Sequence, residues 1–241
     1  LEGETKKLFP QARIARLDRD TVKGRETFES VHRKMNLGEI DILIGTQMIT
    51  KGHDFPNVTL VGVIYADISL NIPDFRSAER SFQLLTQVAG RAGRGKVPGL
   101  VIIQSLLANH YVFDFVKEHD FRGFSEKELA LREKLKYPPF TRMVSIEIES
   151  EHEQAGEIFA NSIQKGLARI LKGTNDIEIL GPARAALYQI NSRFRRHLIL
   201  RSYNHRKLHS ILRRLYKTPE IKKTPRSKVK LILDVDPVNL M

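Results

Sequence analysis

Three apolar runs in the first half of the chain limit its fold more than any other feature. Residues 40–45, 60–65 and 99–105 are short, almost wholly aliphatic at their centres, and separated by stretches of helical spacing and turn residues. Runs of this length suit strands buried on both faces better than helices, which need ten residues or more. A further short strand is expected at 13–17, after Phe9-Pro10, and helices at 27–37 and 77–89. Strands alternating with helices predict a parallel sheet covered on both sides, an α/β lobe over residues 1–108. In such sheets functional residues gather where strands end and loops begin.

Two segments of this lobe carry chemistry. In the first, Gln87 stands four residues before Arg91, and Arg91 and Arg94 are each preceded by a glycine. Placed one helical turn apart, the two guanidiniums point the same way. Their fixed charge and planar donors match the oxygens of a polyphosphate. In the second, Gly45 and Thr46 follow an expected strand and offer a backbone N–H and a hydroxyl to a phosphate. Gly52 lets the chain pass close to a ligand, and Asp54 can accept from a ribose hydroxyl. His53 beside Asp54 has no third ligand at workable spacing, so no metal site is expected. The run 90–97 imitates a phosphate loop, but Val97 stands where a hydroxyl must hold Mg²⁺ and a helix precedes the run.

The net charge of +12 is concentrated at one end. Between Arg184 and Lys230 lie 15 of the 40 basic residues and one acid, Glu220, which leaves 25 basic against 27 acidic residues elsewhere. A field concentrated in this way points to phosphate partners. The same end reads as a second domain. Residues 109–141 form a helical connector closed by Pro138-Pro139, and residues 142–241 alternate four or five strands with two helices. Strands are expected at 143–149 (one face exposed), 177–180 (ended by Gly181-Pro182), 185–190, 194–202 and 229–235. Helices are expected at 151–171 and from the Asn204 cap to 216, and a loop at 217–230. The result is a small α+β sandwich of ferredoxin-like type. Strand alternation sets Arg193 and Arg195 on one face and Phe194 on the other, with Arg196 next to them. Arg206, Arg213 and Arg214 span two helical turns, enough to track a nucleic-acid backbone.

These motifs together carry a family resemblance. The pattern Gln-x-x-Gly-Arg-x-Gly-Arg ending at Arg94 resembles motif VI of superfamily 2 helicases, and Gly45 to Pro56 resembles motif V. Asp18-Arg19-Asp20-Thr21, the stretch from Ala66 to Arg80, Tyr137-Pro138-Pro139-Phe140 and Asp234-Val235-Asp236-Pro237 extend the likeness to the whole chain. It resembles the C-terminal third of the PriA (primosomal protein N′) family of replication-restart DNA helicases. The resemblance implies a RecA-like second helicase lobe followed by a ribosomal-protein-like domain that helps engage branched DNA. It implies a 3′ to 5′ ATP-dependent helicase acting at stalled or branched forks, with the single-strand-binding protein and primosome proteins as partners. Arg91 and Arg94 would act on the γ-phosphate of ATP, Gln87, Gly52 and Asp54 would face the nucleotide, and Thr46 would touch the strand. Mg²⁺ would be held mainly by a first lobe, and Zn²⁺ by a cysteine-rich module, neither within these residues.

The chain starts at Leu1 and is read as a piece that cannot hydrolyse ATP alone. Without cysteine it has no disulfide or thiolate metal site, which fits a cytoplasmic setting. No apolar run is long enough to span a bilayer. Two other readings stay open: a non-catalytic nucleic-acid-binding module, and a different superfamily 2 translocase.

Overall fold

The computed structural model describes residues 1–18, 25–46, 55, 57–92, 98–174, 176–222 and 229–240, with the side chains of 25–27 set aside. The chain divides into two compact units, Leu1–Leu70 with Ala78–Phe121, and Asn71–Ser77 with Arg122–Met241.

The first unit follows the expected alternation: α1 (Glu2–Leu8), β1 (Ile14–Leu17), α2 (Arg25–Asn36), β2 (Ile42–Gly45), β3 (Leu60–Val63), α3 (Asp67–Leu70), α4 (Ser77–Ala89), β4 (Leu100–Ile103) and α5 (Tyr111–Lys117). Its pairings are parallel, as predicted, with Ile14 opposite Ile42 and Leu60 opposite Leu100. Among the described residues, however, they form two separate two-stranded ladders rather than one sheet. The apolar runs are also not buried on both faces. Leu60, Leu100 and Ile102 are 58%, 57% and 54% exposed, because every second residue of β3 and β4 lies on a face that nothing described here covers. Helix α4 buries Ala78, Ser81, Phe82, Leu85 and Val88, a single stripe at helical spacing.

The second unit takes the N-terminal segment Asn71–Ser77, then most of α6 (Phe121–Lys134), β5 (Arg142–Ser150), α7 (Glu153–Leu171), β6 (Ile177–Ile190), β7 (Arg193–Ser202), α8 (His205–Tyr216), α9 (Pro219–Lys222) and β8 (Val229–Val235). The four strands form one antiparallel sheet in the order β6-β7-β5-β8. β5 is central, so its predicted open face is largely covered and its residues run buried or half-buried after Arg142. Val144, Ile146, Ile148, Leu198 and Leu200 face α7 and α8, which add Phe159, Ile163, Leu167, Leu208, Leu212 and Leu215 to the main core. Helix α7 lies close because Gly156 carries no side chain; a Cβ there would stand 3.1 Å from the Ser150 Cβ.

Gly181-Pro182 was expected to end a strand, and here the structure differs. β6 runs through it to Ile190, absorbing the irregularity as register shifts between Leu180 and Ala183 and between Arg184 and Gln189. Gly181 allows this with φ +94 and a Cβ position only 2.7 Å from the His197 carbonyl oxygen. The expected loop at 217–230 contains the short helix α9, and residues 223–228 of it lie outside the described set. On the other face of the sheet, Met143, Ile199 and Leu240 pack with Phe75, Tyr137 and Leu180. Buried Asp74 fixes this corner, its carboxylate accepting from the Arg76 N–H at 2.8 Å and the Leu240 N–H at 3.1 Å.

Candidate nucleotide and nucleic-acid sites

Helix α4 stops at Ala89, one residue before Gly90. Its end tightens: the Gly90 N–H donates to the Thr86 carbonyl and the Arg91 N–H to the Val88 carbonyl, both at 3.0 Å. Gln87 is exposed in the last turn and Arg91 is half-buried in the turn beyond it. The helix thus ends where the sequence led us to expect, at Ala89, and Arg91 stands in the turn after it. Thr46 directly follows β2 and is exposed. Gln87 and Arg91 sit at a helix end, not at the end of a strand as the fold class led us to expect. Arg94, Gly52 and Asp54 lie outside the described residues, as does His53.

Asp67 organises the ends of β3 and β4. Its carboxylate accepts from the Ser105 hydroxyl at 2.5 Å and from the Leu106 and Leu107 N–H groups at 2.8 and 3.0 Å. The Ser105 hydroxyl foremost, then the Leu106 amide, hold its carboxyl below the usual aspartate range. Three donors on the segment that follows β4 make Asp67 a clamp between strand ends rather than a group waiting for a ligand.

The six arginines expected to meet nucleic acid separate into two sets. On β7, the guanidinium of Arg195 grips Glu147 with Nε at 2.6 Å and Nη2 at 2.7 Å, and its side chain is only 9% exposed. Antiparallel register explains this: Arg195 lies opposite Glu149, and Glu147 points to the same face of the sheet. Arg196 turns to the helical side and bonds Glu157 of α7 at 2.7 Å, while Arg193 bonds Glu151 at 2.8 Å. Of the phosphate-binding trio expected on β7, Arg195 is buried, and Arg193 and Arg196 face carboxylates of their own domain. Arg201 continues the pattern by holding Glu178, whose carboxyl it lowers below the usual glutamate range. His197, on the same sheet face, is pushed down chiefly by burial, with Glu147 opposing. Part of this had a signal in the sequence, since Glu147 and Glu149 alternate on β5, with Glu151 just beyond it, as Arg193 and Arg195 alternate on β7.

On α8 the outcome is the opposite. Asn204 caps the helix as predicted, its Oδ1 accepting from the Lys207 N–H at 3.2 Å. Leu208, Ile211, Leu212 and Leu215 take the buried stripe, so Arg206, Arg213 and Arg214 are driven outward and all three are exposed. None of them forms an ion pair with a described residue, whereas neighbouring Lys207 pairs with Asp176. Arg206 and Arg213 line a shallow open cleft of about 490 Å³. Among the described residues no helix is long and apolar enough to cross a membrane, and no cluster of three His, Asp or Glu side chains stands ready for a metal ion.

A parallel α/β lobe followed by a basic antiparallel α+β domain defines the class, and comparison with known proteins agrees with it. Residues 4–96 match the helicase conserved C-terminal domain, a RecA-like lobe, and residues 133–238 match the primosomal protein N C-terminal domain. The chain belongs to the replication restart protein PriA family. It is 38% identical over 243 residues to replication restart protein PriA of Bacillus subtilis (strain 168), covering 100% of this chain and 30% of that protein. The corresponding protein of Synechocystis is 40% identical over 232 residues (96% of this chain, 27% of that protein), and that of Borreliella burgdorferi 37% over 241 residues (100% and 35%). The chain therefore spans about a third of the relatives it matches.

Proposed function

We propose that this chain is the part of an ATP-dependent 3′ to 5′ DNA helicase that completes a nucleotide pocket with its first unit and holds DNA with its second. The observation that carries the reading is the joining of a helicase C-terminal domain to a primosomal C-terminal domain, matched along the entire chain. The second unit runs β-α-β-β-α-β with the strand order β6-β7-β5-β8, which supports a ferredoxin-like, ribosomal-protein-like reading. Arg91, Arg94 and Gln87 would face ATP, with Gly52 and Asp54 beside it, and Thr46 would contact the strand. ATP supplies the phosphoanhydride bond, and guanidiniums that are always charged offset the negative charge on its γ-phosphate. Mg²⁺ belongs to a lobe with a true phosphate loop, which these 241 residues do not contain. Zn²⁺ likewise belongs to a cysteine-bearing region, and this sequence has no cysteine. The setting is stalled or branched replication forks in the cytoplasm, with the single-strand-binding protein and primosome proteins as partners in restart.

The test joins this chain to a phosphate-loop lobe taken from a relative and measures ATP hydrolysis with and without forked DNA. The proposal expects DNA-stimulated hydrolysis, lowered by Arg91→Ala on the order of 10³-fold. Tight DNA binding with no stimulated hydrolysis would favour a non-catalytic binding module instead.

A further inference from the structure

The outer face of α8 carries two rows of side chains, not one. Arg206, Ser210, Arg213 and Lys217 follow steps of four, three and four residues, which align them along the helix axis for roughly 16 Å. Beside them, His205, His209 and Tyr216 form a second exposed row at steps of four and seven. Leu212 would continue that row but is buried, so the row runs along the border between core and solvent. Tyr216 is 56% exposed, and Tyr203, just before the Asn204 cap, is 68% exposed. The cleft over the helix is lined by members of both rows, and Ser210 leaves the dip between Arg206 and Arg213.

A basic row alone suits any polyanion. Planar rings lying along it suit one kind only. In duplex DNA the faces of the bases are stacked inside the helix and present nothing to an aromatic ring. A single strand has its phosphates and its base faces available together, and a basic track flanked by aromatic side chains engages both. Resting on the DNA-binding reading above, the geometry points to the α8 face as a single-strand binding surface. Phosphates lie on Arg206, Arg213 and Lys217, and bases stack on the row of His205, His209 and Tyr216. The same arrangement reads no sequence, because it offers no set of donors and acceptors matched to base edges.

Fluorescence anisotropy with the 241-residue chain tests this, using an oligo(dT) strand and a mixed-sequence duplex at several salt concentrations. Tyr216→Leu is expected to weaken oligo(dT) binding about tenfold, leaving the duplex affinity and the salt slope unchanged. Tyr216→Phe should restore the single-strand affinity, because it keeps the ring and loses only the hydroxyl, while the unchanged duplex affinity of Tyr216→Leu shows that the domain is intact. Arg206→Gln with Arg213→Gln is expected to weaken both ligands and flatten the salt dependence. Unchanged oligo(dT) affinity in Tyr216→Leu, with the arginine variant still weakened, overturns the stacking inference while the DNA-binding reading stands. No effect of the arginine variant overturns that reading as well. Binding of an acidic peptide to this face, with no oligo(dT) binding at any salt, would assign the surface to a protein partner and overturn both.

Discussion

Arginines on β7 and arginines on α8 come from the same basic block, yet they end in opposite situations. Arg195 is buried against Glu147, and Arg193 and Arg196 are matched by Glu151 and Glu157. Arg206, Arg213 and Arg214 stand in solvent without an ion pair to a described residue. The difference follows from the elements. A strand in the middle of a sheet has a neighbour on each side, so its charged side chains meet those of the paired strand and of the helices above. An amphipathic helix on the outside of a sheet has one face with no neighbour, so its charges stay available. Net charge over a segment measures both populations together and separates neither.

The comparison breaks most easily at Arg195. Arg195→Ala leaves Glu147 half-desolvated and unpaired, and should lower the unfolding free energy in urea by about 3 kcal/mol. Arg195→Met combined with Glu147→Leu should recover most of that loss, since an apolar pair of similar volume needs no compensation. If Arg195→Ala were neutral, the pair would be a surface contact and the contrast with α8 would dissolve. A smaller effect sharpens the other side. Asn204→Ala removes the side-chain cap of α8 and should cost about 1 kcal/mol by the same urea titration. Affinity for oligo(dT) should fall only as far as the first turn, which carries Arg206, frays.

Much of this was readable in the sequence. The bounds of α4 and β8, the Asn204 cap and the parallel pairing of the first unit all follow from spacing and capping chemistry. These are local signals, carried by residues a turn or a pleat apart. The errors fall where the decisive neighbour is distant in sequence. Nothing local to Arg195 announces Glu147, 48 residues away, although the matching charge alternation on the two strands held the information. The clamp of Asp74 on the Leu240 N–H spans 166 residues and leaves no pattern in either segment. Gly181-Pro182 reads as a strand end because both residues usually are, and only the neighbouring β7 shows how the strand continues.

The most direct test sets the two groups of arginines against each other in one titration. Binding of oligo(dT) is followed from low to moderate salt for the parent chain, for Arg206→Gln with Arg213→Gln, and for Arg195→Met with Glu147→Leu. The last variant removes one charge of each sign and leaves the net charge at +12. Losing two phosphate contacts on α8 should reduce the slope of log K against log salt by about 1.4, while the β7 variant keeps the parent slope. A slope that falls with the β7 pair and holds with the α8 pair would contradict the account.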